Sequence, residues 1–174
     1  MEIRFANPLD LEQVIRLEKE NFAPEEQISE AVLETYLMHL HQTCLVMEQD
    51  GEIAGFILSS PSESPTVSDA IFHLNSDQLP IGEYLAIASL SVSDTFKGQG
   101  VGTLLLAALK EVAQSRGFKG IALTCKDYLI GYYEINHFED LGPSSSQFGG
   151  QLWYDMYWKA LQKGSSCNSS AFKI

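Results

Sequence analysis

A glycine-rich turn between an apolar segment and an amphipathic segment has the residue types needed to bind an anion. Residues 90–105 read LSVSDTFKGQGVGTLL. The first turn of a helix has unpaired backbone N–H groups and a partial positive charge. Glycines allow a diphosphate to approach that backbone closely, and Lys97 adds a full positive charge. We therefore predict an anion cradle that consists of Lys97, Gly98, Gln99, Gly100, Val101, Gly102 and Thr103.

Two common phosphate-binding motifs do not fit this turn. A Walker loop ends in Gly-Lys-Ser or Gly-Lys-Thr, and that ending is absent. A dinucleotide fingerprint needs a third glycine where Thr103 stands, and an acid about 20 residues further on. Phe118 and Lys119 occupy that later region instead.

The flanking segments must position the turn. Tyr84–Val92 is apolar at most positions, which is typical of a central strand covered on both faces. Gly100–Arg116 has apolar residues at helical spacing, and Gly117 stands where a helix commonly ends. The sequence thus predicts a strand–turn–helix unit around the cradle.

The rest of the chain alternates between the two kinds of element. Asp10 and Ser29 are predicted N-caps of two early helices, and Asp50-Gly51 is typical of a β-hairpin turn. The predicted strands are Glu2–Ala6, Thr43–Glu48, Ile53–Ser60, Ile121–Cys125, Phe138–Leu141 and Leu152–Leu161. The further predicted helices begin near Pro8, cover Ser29–His39 and Leu129–Asn136, and include a short one within Asp69–Leu79. The order β-α-α-β-β-β-α-β-α-β-β predicts a mixed sheet flanked by helices, an α/β fold.

Composition narrows the possible functions. The chain has 174 residues, 45% of them hydrophobic, and a net charge of −12. This acidity argues against general nucleic-acid binding, and no apolar run approaches the ~20 residues that span a membrane. The three cysteines, Cys44, Cys125 and Cys167, form no CxxC pair, and the four histidines have no metal-ligand spacing. We expect a cytoplasmic protein without a bound metal, with one domain over residues 1–163 and a flexible tail over residues 164–174.

Two motifs together resemble those of the GNAT acetyltransferase superfamily. Its diphosphate loop is written Arg/Gln-x-x-Gly-x-Gly/Ala, and here the run is Lys97-Gly98-Gln99-Gly100-Val101-Gly102. Its helix after the next strand ends in Tyr-x-x-x-Gly-Phe. Here Tyr133 lies five residues before Phe138, with His137 in the place of the glycine. The likeness is strongest over residues 84–142 and is closest to the serotonin (arylalkylamine) N-acetyltransferase branch.

The resemblance implies a fold and a cosubstrate. The family's fold is a mixed sheet of about six to seven strands with about four helices, in which two splayed central strands hold acyl-CoA. Acetyl-CoA is then expected to lie along Leu90, Ser91 and Val92, with its diphosphate in the cradle and with Asp127 and Tyr132 nearby. A backbone N–H near Leu90 would polarise the thioester carbonyl. Attack by the amine is direct, without an acyl-enzyme.

The resemblance also suggests the groups that transfer protons. Tyr133 is expected to protonate the leaving thiolate, since a phenol of pKa ~10 is protonated at neutral pH. The arylalkylamine branch has two histidines where this chain has Ala86 and Ala88, so its general base is missing. Glu83, at the start of that strand, is the candidate that the sequence offers.

Three functions stay open at this point. The first is acetylation of a small cationic amine, such as an arylalkylamine or a polyamine, which the acidic N-terminal half would attract. The second is acetylation of a peptide or protein N-terminus. The third is a non-catalytic acyl-CoA sensor. A homodimer is also open.

Overall fold

The computed structural model describes residues 1–161, in which one seven-stranded sheet has helices on both faces. The strands are β1 (Glu2–Phe5), β2 (Cys44–Gln49), β3 (Glu52–Ser62), β4 (Tyr84–Val92), β5 (Gly120–Cys125), β6 (Glu139–Pro143) and β7 (Tyr154–Lys159). Their order across the sheet is β1-β2-β3-β4-β5-β7-β6. The β4–β5 pair is parallel, and the other neighbouring pairs are antiparallel. The predicted mixed α/β fold is confirmed.

The helices connect strands that are not joined by hairpins. They are α1 (Leu11–Asn21), α2 (Glu30–His39), α3 (Val101–Ser115) and α4 (Ile130–Ile135). The predicted order of strands and helices is therefore also confirmed. No helix within residues 1–161 is long and apolar enough to cross a membrane.

The two faces of the sheet bury separate cores. Helices α1 and α2 cover the α1/α2 face, where Leu17, Tyr36 and Phe56 are buried. Helices α3 and α4 cover the α3/α4 face, where Leu105 and Leu85 are buried. Because β4 contributes side chains to both cores, its apolar sequence has no polar face.

Turn chemistry fixes several of the element ends. Asp50 and Gly51 have φ values of 54° and 82°, the left-handed conformations that a tight hairpin turn requires. The Ser29 side chain accepts a hydrogen bond from the Val32 backbone N–H, so its predicted capping role is confirmed.

Asp10 stands at the predicted N-cap position of α1, but its side chain does not make the capping bond. Asn7 caps a 3₁₀ turn at Pro8–Asp10 that leads into α1, and Asp10 makes no capping bond to that helix. Its carboxylate instead accepts two 2.8 Å hydrogen bonds from Arg4 and one of 2.9 Å from the Asn7 backbone N–H. A bidentate guanidinium is the stronger partner for a carboxylate that is itself buried.

One predicted helix is much shorter than expected, and one prediction falls outside the structure. Within residues 69–79 only a 3₁₀ turn at Asp69–Phe72 forms, and Ser68 caps it. The tail predicted over residues 164–174 lies outside the described residues.

Candidate active site

The sheet splits between its two parallel strands. Strands β4 and β5 are paired only at Leu85–Ile121 and Ala86–Ala122. Beyond these positions β4 continues to Val92 and β5 to Cys125 without further pairing. Backbone groups that face this opening therefore have no partner in the neighbouring strand, and they are free to bind a ligand.

A β-bulge in β4 lies where the strands part. Leu58 of β3 pairs with Ser89, but the next residue, Ser59, pairs with Ile87, so Ala88 is the extra residue. The bulge shifts the side-chain alternation: Ile87 precedes it on the α3/α4 face and Leu90 follows it there. Ser89 therefore faces α1 on the other side of the sheet.

The predicted cradle has the geometry of an anion site. Gly98 and Gly100 have φ values of 78° and 79°, which favour glycine, and α3 begins immediately afterwards at Val101. Within the described residues, the backbone N–H groups of residues 98–103 have no acceptor. Six consecutive free donors at the start of a 15-residue helix are well suited to a diphosphate.

Unlike the backbone of the cradle, the side chains of Lys97 and Gln99 already have hydrogen-bond or ion-pair partners. Lys97 lines the opening but forms an ion pair with Asp94. The Gln99 side chain folds back and donates to the Thr95 carbonyl at 3.4 Å. The Ser91 hydroxyl is buried without a hydrogen-bond partner in the described residues.

Tyr132 packs directly against the start of α3. Its hydroxyl lies 3.3 Å from the Thr103 hydroxyl oxygen. A methyl group added at Gly102 would lie 2.9 Å from the Tyr132 hydroxyl, so the third small residue of the motif is needed for this close approach. Asp127 is exposed, and its carboxylate accepts a 2.7 Å hydrogen bond from the Tyr128 backbone N–H.

Tyr133 reaches the split from α4. It is 8% exposed and packs on Phe138 and Tyr132, with ring centroids 5.8 and 5.1 Å away. Burial, with smaller contributions from Cys125 and Tyr132, raises the pKa of the Tyr133 phenol. Burial also raises the pKa of the Cys125 thiol to about 12. The phenol therefore keeps its proton at neutral pH, and the thiol is a poor nucleophile.

A cavity of about 500 Å³ passes through the split from one face of the sheet to the other. Leu90, Leu129 and Tyr133 line it on the α3/α4 face, which is also the face of the cradle. Phe72 and Phe148 line it on the α1/α2 face. A ligand held by the cradle would thus meet a second ligand from the opposite face.

Three connections close the cavity on the α1/α2 face, and we call them the roof: residues 22–26, 69–72 and 146–153. Phe72 stacks on Phe148 with ring centroids 4.1 Å apart. The Ser146 hydroxyl donates to the Asp69 carboxylate at 2.5 Å, and the Trp153 indole N–H donates to the Phe148 carbonyl at 2.8 Å. These contacts cover the α1/α2 side of the cavity, and we call the space beneath the roof the chamber.

An ion pair links the roof to the end of β5. Lys126 Nζ lies 2.6 Å from a Glu26 carboxylate oxygen and 4.7 Å from the centre of the Trp153 ring. Both charged side chains are largely buried and line the cavity. The carboxylate of Glu26 is therefore already neutralised.

Glu18 is the unpaired carboxylate of the chamber. It lies on α1, is 2% exposed and lines the cavity. It accepts hydrogen bonds from the Ile28 backbone N–H at 3.0 Å and from the Ser89 hydroxyl at 2.7 Å. Burial raises its pKa, and these two donors partly counter that effect.

The structure brings three of the predicted residues into the cavity lining: Leu90, Lys97 and Tyr133. Residues 98–103 follow Lys97 directly and lie outside that lining, as do Ser91, Val92, Asp127 and Tyr132. Glu83 lies at the other end of β4, where it is exposed and forms an ion pair with Lys119 at 2.7 Å. It does not line the cavity.

Known proteins share both the sequence pattern and the fold. The sequence model of the Acetyltransferase (GNAT) family matches residues 11–138. The chain belongs to the GNAT acetyltransferase family.

Individual relatives are distant from this acetyltransferase. Serotonin N-acetyltransferase of Mesocricetus auratus is 24% identical over 176 residues, which cover 95% of this chain and 83% of that protein. A GNAT-like decarboxylase solved in complex with isobutyryl-CoA superposes with a TM-score of 0.76 at 18% identity, over 92% of this chain and all of the other. A ribosomal-protein-alanine N-acetyltransferase from Brucella melitensis gives a TM-score of 0.66 at 21% identity, over 91% and 99% of the two chains.

Sequence reasoning missed the α1/α2 face of this acetyltransferase. The roof aromatics come from loops far apart in the chain, and no local pattern links them. Glu18 did leave a signal, because it lies four residues after Val14 and three after Ile15 on the apolar side of α1. An acid at such a position is rare unless it is bound or functional.

Proposed function

We propose that this GNAT acetyltransferase transfers an acetyl group from acetyl-CoA to the primary amine of a small molecule by direct attack. The single observation that carries the proposal is the cavity through the split sheet. We infer that the diphosphate binds at the cradle on one face and the acceptor in the chamber on the other. Such a passage allows an amine and a thioester to meet without an intermediate carried by the protein.

The cradle supports an acyl-CoA as the donor. Free N–H groups of residues 98–103 fit a diphosphate, and the unpaired edge of β4 near Leu90 and Val92 fits an extended arm with amide groups. The bulge at Ala88 suits a backbone donor aimed at the thioester carbonyl. Asp127 is exposed beside this region, so we assign it a peripheral contact at most.

Tyr133 supports the second half of the reaction. As the amine nitrogen bonds to the carbonyl carbon, the carbon–sulfur bond breaks and the thiolate needs a proton. A buried phenol on the α3/α4 face, with a raised pKa, is suited to give one. The neutral thiol of Cys125 argues against a covalent acyl-enzyme.

The roof favours a small acceptor over a peptide. The whole cavity of about 500 Å³, of which the chamber is one part, lies within the usual range for small-molecule sites. Its aromatic residues suit an apolar body, and its acids suit a cationic amine. Both described cysteines are free thiols, which supports the cytoplasm as the place of action.

An amine panel tests the proposal. Acetyl-CoA is incubated with 2-phenylethylamine, spermidine or an alanine-led tetrapeptide, and release of CoA thiol is measured. We expect turnover of a small amine and little turnover of the peptide. Preferred turnover of the peptide would support N-terminal acetylation instead. Tight acetyl-CoA binding with no turnover of any amine would support a sensor.

A further inference from the structure

The acceptor side of the chamber contains a carboxylate with unused hydrogen-bonding capacity. A carboxylate has about four lone-pair positions, and the donors from Ile28 and Ser89 fill two of those on Glu18. None of the six ion pairs within residues 1–161 includes it. An acid buried this deeply in a core is costly to keep unless it has a partner or a task.

Glu18 and Tyr133 lie on opposite sides of the opening. Glu18 contacts Ser89, whose side chain faces α1, whereas Tyr133 belongs to the core of the α3/α4 face. In a direct attack, the amine enters from one side of the thioester and the thiolate leaves on the other. A base is needed on the first side and an acid on the second.

We propose that Glu18 is the general base that takes the proton from the acceptor amine, an inference that rests on the proposed amine acetylation. The ammonium form of the acceptor gives a proton to a Glu18 carboxylate oxygen, and the neutral amine then attacks the carbonyl carbon. The C–N bond forms, the C–S bond breaks and Tyr133 supplies the proton to sulfur. The nitrogen loses one further proton to solvent as it becomes the amide. Tyr133 regains its proton from solvent, and Glu18 releases the proton that it took to water, so one proton is released overall.

The other acids near the acceptor are less suitable. Glu26 lines the cavity but is held by Lys126. Glu83 lies outside the cavity and is held by Lys119. Glu18 is the acid of the described cavity lining that has no cationic partner.

The surroundings of Glu18 also suit a base. Burial brings its pKa closer to neutral pH, and a general base works best when its pKa lies near the working pH. The other titratable groups lining the cavity are Glu26, Lys97, Cys125, Lys126, Tyr128 and Tyr133. Among the elements packed on α1, helix α2 contributes Tyr36 to the shared core, and the preceding 3₁₀ turn contributes Asp10, which is held by Arg4.

Glu18→Gln is the decisive variant. The amide oxygen can still accept from Ile28, and the Ser89 hydroxyl can turn to accept from the amide N–H₂, so the fold is preserved. We expect kcat/KM for 2-phenylethylamine to fall about 100-fold or more, with acetyl-CoA affinity unchanged. Glu12→Gln is the matched control, because it makes the same change at an exposed position of the same helix, and it should behave as wild type.

An acceptor amine with a lower pKa distinguishes a general base from a residue that has only a structural role. This acceptor is 2-phenylethylamine with fluorine atoms on the benzylic carbon. The fluorine atoms withdraw electrons and lower the pKa of the ammonium group, so far more of the amine is neutral at pH 7. With this acceptor the loss in Glu18→Gln should shrink to less than about tenfold, since little deprotonation is needed. An equal loss with both acceptors would overturn the base role.

The pH profile gives an independent check. The limb of kcat/KM that rises with pH and reports Glu18 should disappear in Glu18→Gln. Ser89→Ala removes a donor to the carboxylate, so it should move that limb to higher pH. Wild-type turnover with an unchanged profile in Glu18→Gln would overturn the base role alone. A wild-type protein silent toward every amine would overturn the proposed function and this role with it.

Discussion

The two faces of the split sheet bind by different means. On the α3/α4 face the cradle consists mainly of backbone N–H groups from one continuous segment, residues 98–103. On the α1/α2 face the chamber consists of side chains from α1 and three loops. Backbone recognition of this kind suits a donor that is common to a family. A chamber built from side chains can differ from one member to the next.

The largest test of this contrast is Gly100→Asp. Its φ of 79° and its position among free N–H groups mean that the variant places both strain and a negative charge in the cradle. We expect acetyl-CoA affinity, measured by calorimetry, to fall about 100-fold or more.

Gly117→Asp is the control for that variant. Gly117 has a φ of 76° at the other end of α3, and both glycines have open space around them. It should lose stability but keep acetyl-CoA affinity. A similar loss of affinity in both variants would mean that strain, and not the cradle, explains the result.

Tyr133→Phe tests whether the α3/α4 face also carries chemistry. Because only the hydroxyl is lost, kcat should fall about 100-fold with KM for acetyl-CoA nearly unchanged. Tyr132→Phe should do the reverse, raising KM through its contact with the start of α3. Tyr157→Phe, on β7 and outside the cavity lining, should be neutral. An unchanged kcat in Tyr133→Phe would remove its role as the acid.

Phe148→Leu sharpens the contrast from the other face. Loss of a stacked pair with centroids 4.1 Å apart removes about 1 kcal/mol of interaction. We expect KM for the acceptor to rise about three- to tenfold while KM for acetyl-CoA stays the same. The exposed Phe5 offers the control Phe5→Leu. A rise in KM for acetyl-CoA alone would mean that the donor and acceptor sites are assigned to the wrong faces of the sheet.

Glu18→Gln should also have a smaller effect on thermal stability, and the direction of that effect can be predicted. The folded-state pKa of Glu18 is raised, so the folded protein binds this proton more tightly and the ionised form is unfavourable at higher pH. Glu18→Gln should therefore raise Tm at pH 8, by about 2–4 °C per kcal/mol recovered. The difference should vanish as the pH falls below about 4.3, the unfolded-state value. A lower Tm at pH 8 would mean that the carboxylate stabilises the fold.

The smallest effect is expected at the edge of the cradle. The Lys97 hydrogen bond lowers the pKa of Asp94, which keeps that carboxyl ionised and keeps the lysine charge occupied. Asp94→Asn should free Lys97 and tighten acetyl-CoA binding about two- to threefold at low salt. Lys97→Gln in the same background should remove the gain. An unchanged acetyl-CoA affinity in Asp94→Asn would mean that the backbone N–H groups alone bind the diphosphate.

The sequence predicted the α3/α4 face better than the α1/α2 face for a physical reason. The glycines at 98, 100 and 102 and the tyrosine at 133 act within one strand–turn–helix–strand–helix run, so their spacing alone carries the information. The roof depends on contacts such as Phe72–Phe148 and Ser146–Asp69, which join segments more than 70 residues apart. Glu83 is next to β4 in the sequence, but it lies at the end of that strand away from the cavity, where Lys119 holds it. His137 has a φ of 68°, a left-handed conformation that a glycine at this place of the motif would adopt more easily.

The two paired positions between β4 and β5 divide the molecule into two blocks. On one side β3 and β4 are paired at eight positions, and on the other β5 and β7 are paired at six. With so few paired positions across this seam, a thioester arm between the diverging strands would connect the two blocks where the sheet itself does not.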